Sequence, residues 1–252
     1  ELVMKEAAAR GVRILPVDSE HGAIFQCLQG RRPEEVAKLL VTASGGPHFR
    51  RPASEFSSIT VEQCLKHPTW NMGGKITIDS ATMFNKGLEV IEAHWLFHMP
   101  FDKIEVVIQP QSIIHSMIEF IDGSVLAQLG MPDMRLPIQY AFTYPERMTV
   151  RGARPIDWKT LGTLEFFPPD DEKFPSIGLA YEAGRIGGTM PCVLNGANEV
   201  AVYAFLRKEI SFTRIFDIVR TVMERHTVSH DVTLASIRQA DAWARRCAAS
   251  LL

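Results

Sequence analysis

Strand-like and helical patterns alternate through the first half of this chain, and then the strand patterns stop. That order constrains the fold more than any other feature. Alternating β and α segments build a sheet covered by helices, whereas an uninterrupted helical run builds a bundle. The runs "VRILPV" (12–17), "KLLVTAS" (38–44), "KITIDS" (75–80), "KIEVVIQ" (103–109), "HSMIEFI" (115–121) and "SVLAQLG" (124–130) predict strands. The last two are joined through Asp122-Gly123, a strong hairpin signal. Helices are expected at the opening "ELVMKEAAARG", along "AIFQCL", over 61–67 with Pro68 as its stop, and over 81–97. In the last of these Leu88, Ile91 and Trp95 share one face. The expected architecture is an α/β domain, its sheet mostly parallel with an antiparallel edge, over residues 1–144.

Prolines at 145, 155, 168, 169 and 175 punctuate the next stretch, so residues 145–170 read as a linker. Four helical patterns follow, at 176–187, 191–207, 212–226 and 233–252. In the third, Phe212, Ile215, Phe216, Val219, Val222 and Met223 form one apolar stripe. Residues 171–252 therefore predict a small C-terminal helical bundle.

Composition narrows the function classes. The 252 residues are 46% hydrophobic and 22% charged, with a formal net charge of −2. No basic excess marks a nucleic-acid partner, and no apolar run approaches the ~18 residues that cross a membrane. No stretch reads as a signal peptide. Cys27, Cys64, Cys192 and Cys247 form no CxxC pair and read as reduced thiols, which favours the cytoplasm. The chain opens inside a helical pattern without an initiator Met, as a piece of a longer protein would.

Polar residues gather where the patterns change. In "LPVDSEH" (15–21), Asp18 and Glu20 stand at i and i+2 at the end of an expected strand, so both project to one face. Such a pair needs a cation or a shared proton, unless it is an exposed acidic turn or a helix cap. In "DSATMFNKGLEVIE", Ser80 lies at a turn, and Asn85, Lys86 and Glu89 share one helix face. Lys86–Glu89 reads either as an exposed salt bridge, worth under ~1 kcal/mol, or as part of a site in which Glu89 joins Asp18 and Glu20. Three carboxylates without nearby cysteine suit Mg²⁺ or Mn²⁺ rather than zinc. Ser44-Gly45-Gly46 reads as a plain turn or, with Ser80, Asn85 and Lys86, as a phosphate cradle. "KHPTWNMGGK" (66–75) reads as a surface loop or as a flap that closes over a ligand.

"LPVDSEH", "TASGGPHF", "KHPTWNMGGKITIDSATMFNKGLEVIEAHWLF", "QPQSIIHSMIEF" and "GSVLAQLGMPDMRLPI" closely resemble the 1-deoxy-D-xylulose-5-phosphate reductoisomerase family, and "LNGANEVAVYAFL" resembles its C-terminal helical region. The resemblance implies NADPH-dependent rearrangement and reduction of 1-deoxy-D-xylulose 5-phosphate to 2-C-methyl-D-erythritol 4-phosphate, a step of non-mevalonate isoprenoid synthesis. It implies a homodimer, cytoplasmic or in a plastid-type organelle. It assigns Asp18, Glu20 and Glu89 to Mg²⁺ or Mn²⁺. Ser44, Ser80, Asn85 and Lys86 hold the substrate phosphate, and Ser19 and Lys86 reach its other oxygens. His67 and Trp70 belong to the flap over the substrate. Met72, Gly73 and Met134 belong to the NADPH side. Lys86, His67, His21 and His115 are the groups important for turnover; for His115 a purely structural role is as plausible.

The family also carries a GxTGSxG-type phosphate loop and an NKE segment near its N-terminus, and this chain has neither. The catalytic and helical parts are therefore expected here without the dinucleotide domain, and the 252 residues alone are expected not to reduce substrate. Two other readings stay open from the residues. One is a metal-dependent phosphosugar aldolase or isomerase without a nicotinamide step; the other is a non-catalytic binding or dimerisation module.

Overall fold

The computed structural model describes residues 1–66 and 72–252. Ten α-helices are found among them: α1 Leu2–Ala9, α2 Ser19–Cys27, α3 Val61–Cys64, α4 Gly74–Thr82, α5 Phe84–Phe97, α6 Arg135–Thr143, α7 Pro175–Ile186, α8 Met190–Leu206, α9 Arg214–Arg225 and α10 Leu234–Ala249. The strands are β1 Val36–Ala43, β2 Ile104–Ile108, β3 Ile114–Phe120 and β4 Val125–Leu129. None of the described helices is long and apolar enough to cross a membrane. The chain folds as two compact units that interleave in sequence. One comprises residues 1–6, 45–92 and 170–252, and the other 7–44 and 93–169.

The second unit holds the sheet, in the order β2-β1-β3-β4. β1 pairs parallel with β2, and antiparallel with β3. β3 and β4 form the hairpin expected at Asp122-Gly123, where Gly123 takes φ +83°. The expectation of a mostly parallel sheet is corrected to a mixed one, with a single parallel pairing. The cause lies after β2. Only five residues separate Ile108 from Ile114, too few for the crossover that a parallel neighbour needs. Leu40, Ile114 and Met117 form a buried cluster on this sheet, with Val107, Leu129 and Leu164 against it.

Three local expectations are also corrected. "VRILPV" is irregular rather than a strand: Pro16 cannot donate to a ladder, and Val12 and Val17 lie exposed. "KITIDS" forms most of α4. Its β-branched residues are carried in a helix because Thr77, Ile78, Ala81 and Thr82 fall on one buried face, and the Thr77 hydroxyl donates to the Gly73 carbonyl at 2.8 Å. The helix expected over 81–97 starts later. Met83, in the left-handed region at φ +61°, separates α4 from α5. α6 was not expected, since Pro137 falls within it.

The first unit contains α7 to α10, each starting within two residues of its expected position. Its core is aromatic. Phe212 is fully buried and meets Phe56, Phe205 and Phe216 edge-on, with centroids 5.7–5.8 Å apart. His48 is buried in the same core, its Nε2 3.3 Å from the Cys64 sulfur and its ring 5.7 Å from that of Phe212. Burial pushes the His48 pKa from 6.5 down to about 4, with the Arg51 charge adding to the shift. Between those values the unfolded chain binds a proton that the folded chain does not. Stability should therefore be full above about pH 6.5 and fall as the pH drops toward 4. Denaturant unfolding across this window checks the prediction against His48→Gln, which should lose that component of the slope. Identical slopes for the two proteins would contradict it.

Candidate active site

The "DSEH" corner is the start of a helix and not the end of a strand. Asp18 is the N-cap of α2, and its Oδ1 accepts from the Ser19 amide at 2.8 Å. Its Oδ2 lies 3.2 Å from His21 Nδ1, and His21 is buried. The Ser19 hydroxyl donates to Glu20. Asp18 and Glu20 thus share the first turn of α2, where the unpaired amides and the helix dipole favour negative charge. Asp18 and Glu20 remain partly exposed. Capping, the plainer reading of Asp18, is correct: one oxygen caps α2 and the other faces His21.

Ser19 also lines a cavity of about 250 Å³ in the sheet-bearing unit, whose wall includes His115, Asp133, Tyr140 and Arg147. His115 is a buried residue of β3. A Cβ on Gly130 would lie 3.5 Å from His115 Nε2, an ordinary contact distance, so this backbone runs beside the ring. Met134 is the N-cap residue of α6. Ser44 directly follows β1 and is half-buried.

The other expected residues lie on α4 and α5. Ser80 sits in the last turn of α4, and its carbonyl accepts from the Met83 amide at 3.2 Å. Gly46 packs against this turn at φ +65°. A Cβ there would meet the Ser80 carbonyl oxygen at 2.6 Å, so only glycine fits. The small residues of "SGG" thus let the loop backbone reach the Ser80 turn. On α5 the Lys86 ammonium and the Asn85 amide both donate to Glu89, one to each carboxylate oxygen. Lys86 and Glu89 are each 4% exposed. The exposed-salt-bridge reading therefore fails. Removing one partner of such a buried pair typically costs about 3–5 kcal/mol, because the other charge is left uncompensated.

Met72 and Gly73 precede α4, and their carbonyls accept from the Thr77 hydroxyl at 3.5 and 2.8 Å. His67 and Trp70 lie outside the described residues, as do residues 67–71 of the expected flap.

One cluster escaped the reading of the sequence. Asp79, next to Ser80, is 2% exposed and accepts from Lys75 within α4 and, at 2.9 Å, from the Asn198 amide of α8. Burial raises the Asp79 pKa, against the opposing pull of Lys75. The signal was an asparagine on the otherwise apolar stripe Leu194, Ala197, Ala201, Val202 and Phe205.

Residues 14–97 match the family described as the 1-deoxy-D-xylulose 5-phosphate reductoisomerase C-terminal domain. Residues 129–247 match the DXP reductoisomerase C-terminal domain. A 1-deoxy-D-xylulose 5-phosphate reductoisomerase of Acetivibrio thermocellus is 57% identical over 97% of this chain and 64% of its own length. That of Heliobacterium modesticaldum is 58% identical over 98% of this chain and 63% of its own. Among solved structures, the Zymomonas mobilis enzyme in complex with NADPH gives a TM-score of 0.93 at 44% identity, over 99% of this chain and 64% of that one. A DOX-P reductoisomerase in complex with NADPH, fosmidomycin and magnesium gives 0.93 at 42%, over 99% and 66%. The chain thus spans a little under two thirds of the length of these relatives. On the two matched stretches and these identities, the chain belongs to the 1-deoxy-D-xylulose 5-phosphate reductoisomerase family.

Proposed function

We propose that the protein takes part in the NADPH-dependent conversion of 1-deoxy-D-xylulose 5-phosphate to 2-C-methyl-D-erythritol 4-phosphate, in non-mevalonate isoprenoid synthesis. In this reading residues 1–144 are the catalytic region, 145–170 the linker and 171–252 the helical bundle. The observation that carries the reading is the polar face of α5, where the buried Glu89 carboxylate is oriented by Asn85 and Lys86. It is supported by relatives whose structures hold NADPH, magnesium and the phosphonate fosmidomycin.

Asp18, Glu20 and Glu89 are the proposed ligands of Mg²⁺ or Mn²⁺. The donor set fits, since all three are hard carboxylate oxygens. Each is also oriented by a neighbouring donor: Asp18 by the Ser19 amide, Glu20 by the Ser19 hydroxyl, Glu89 by Asn85 and Lys86. When bound, the cation supplies Lewis acidity to the substrate oxygens, and NADPH supplies the hydride.

The chain's own groups bind and orient. Ser80, Asn85 and Lys86, with Ser44, hold the phosphate ester, and binding there, away from the breaking bond, fixes the reacting carbons. Lys86 adds positive charge where negative charge develops on the substrate. Ser19 reaches a substrate hydroxyl from the first turn of α2. His21, held by Asp18, keeps that carboxylate in position, and His115 lines the cavity beside Ser19. Met72, Gly73 and Met134 face the nicotinamide, while His67 and Trp70 close over the substrate.

A homodimer and a cytoplasmic setting complete the proposal. β4 is the sheet's edge, and Val125, Leu126 and Ile121 leave 47%, 37% and 73% of their surface exposed. Such an edge favours pairing with a second strand. The free thiols suit a reducing compartment.

Two experiments on the complete protein test this reading. Loss of one hydrogen-bonded neighbour of a ligand already costs about 10–100-fold. Glu89→Gln and Glu20→Gln should therefore lower kcat/KM at least about 100-fold and raise the Mg²⁺ concentration for half-maximal rate. An unchanged Mg²⁺ dependence would contradict the assignment. Leu126→Asp should turn a dimer into a monomer in sedimentation velocity; a dimer that survives it, together with Val125→Asp, would place the interface elsewhere.

A further inference from the structure

The buried pair Asp79–Asn198, with the half-buried Lys75 beside it, has no part in the chemistry above, yet it adjoins the proposed phosphate site. Asp79 precedes Ser80 on α4, and Asn198 comes from α8 of the bundle. The Asn198 amide donates to Asp79 at 2.9 Å, while its own Oδ1 is buried with no hydrogen-bond partner among the described residues. An orphaned carbonyl is unfavourable, and a leucine of similar size would avoid it. What leucine lacks is a directional donor. A buried carboxylate is likewise a poor way to hold two helices together, since apolar packing does so without desolvating a charge. Both residues are therefore poorly explained by stability alone.

Direction explains them. Apolar packing between α4 and α8 restrains their distance but only weakly restrains rotation of α4 about its axis. The Asn198–Asp79 bond fixes that rotation, because Asp79 must face α8. Ser80 is the next residue, about 100° around the helix, so its direction is then set as well. A rotation of about 20° would carry a side-chain oxygen ~4–5 Å from the axis through roughly 1.5 Å, more than an oriented contact tolerates. Neighbouring contacts serve the same end. The Ser176 hydroxyl of α7 donates to the Thr82 carbonyl at 2.6 Å, closing the C-terminal end of α4. A Cβ on Gly87 would meet that of Ala180 at 2.7 Å, so α5 lies hard against α7.

We propose that Asp79 and Asn198 are positioning residues, through which the C-terminal bundle sets the orientation of the phosphate-binding residues on α4 and α5. This rests on the phosphate reading of Ser80, Asn85 and Lys86. It gives the bundle a role in substrate affinity through α4.

The test uses the complete protein with Mg²⁺ and NADPH, and reads KM for the phosphorylated substrate, inhibition by inorganic phosphate, kcat, KM for NADPH and Tm. Asn198→Leu should raise both substrate KM and the phosphate inhibition constant by about tenfold, the scale of one hydrogen bond to a charged group. KM for NADPH should stay within about twofold, since a rotation of α4 leaves uniform binding elsewhere intact. Asp79→Ala should do the same, and the exchange Asp79→Asn with Asn198→Asp should recover phosphate affinity by restoring a donor–acceptor pair. Should Asn198→Leu fail to fold, the Asp79→Ala protein and the exchange carry the comparison. A lowered Tm with unchanged phosphate affinity would overturn the proposal, as would an exchange that recovers nothing. Lys86→Ala separates the two claims. If it leaves phosphate inhibition unchanged, the phosphate reading itself fails. If it weakens phosphate while Asn198→Leu and Asp79→Ala do not, only the positioning role fails.

Discussion

A carboxylate taken out of water must be neutralised or hydrogen-bonded, and the chain meets that requirement at Glu89 with groups from one turn of one helix. Lys86 and Asn85 each donate to it, so its two oxygens point in defined directions before any ligand arrives. The arrangement depends on where α5 begins. Met83, at φ +61°, ends α4 and lets α5 set off on a new axis, and Gly46 packs on the same turn because no side chain would fit.

The same economy appears at α2. Asp18 caps the helix with one oxygen and faces His21 with the other, while Ser19 serves Glu20. Acids at a helix start are favourable on local grounds alone, so this corner is stable as a fold element whether or not a cation is bound. Function and local structure make the same demand there, which is why the sequence could be read either way.

Sequence legibility followed the type of signal. The four helices of the bundle were plain because long 3.6-residue periodicity is hard to mistake, and the hairpin was plain because Asp-Gly fixes its turn. "KITIDS" misled because its β-branched residues suggest a strand while its partners on α8 impose a helix. "VRILPV" misleads because its apolar content suggests a ladder that Pro16 cannot extend. Sheet direction was misjudged because pairing depends on the short connection after β2, which periodicity does not report. At the site, Asn85, Lys86 and Glu89 were legible from helical spacing, and the structure joins them. Asp79 and Asn198 were not, because a bond between residues more than a hundred positions apart leaves no local pattern.

The central claim is that the carboxylates of Asp18, Glu20 and Glu89 serve a single cation. Anomalous diffraction from crystals of the complete protein grown with Mn²⁺ tests it most directly. The account predicts one strong anomalous peak with an oxygen of each residue roughly 2 Å away, the spacing of hard divalent cations. A peak held by other residues, or these three carboxylates turned away from any bound Mn²⁺, would contradict it.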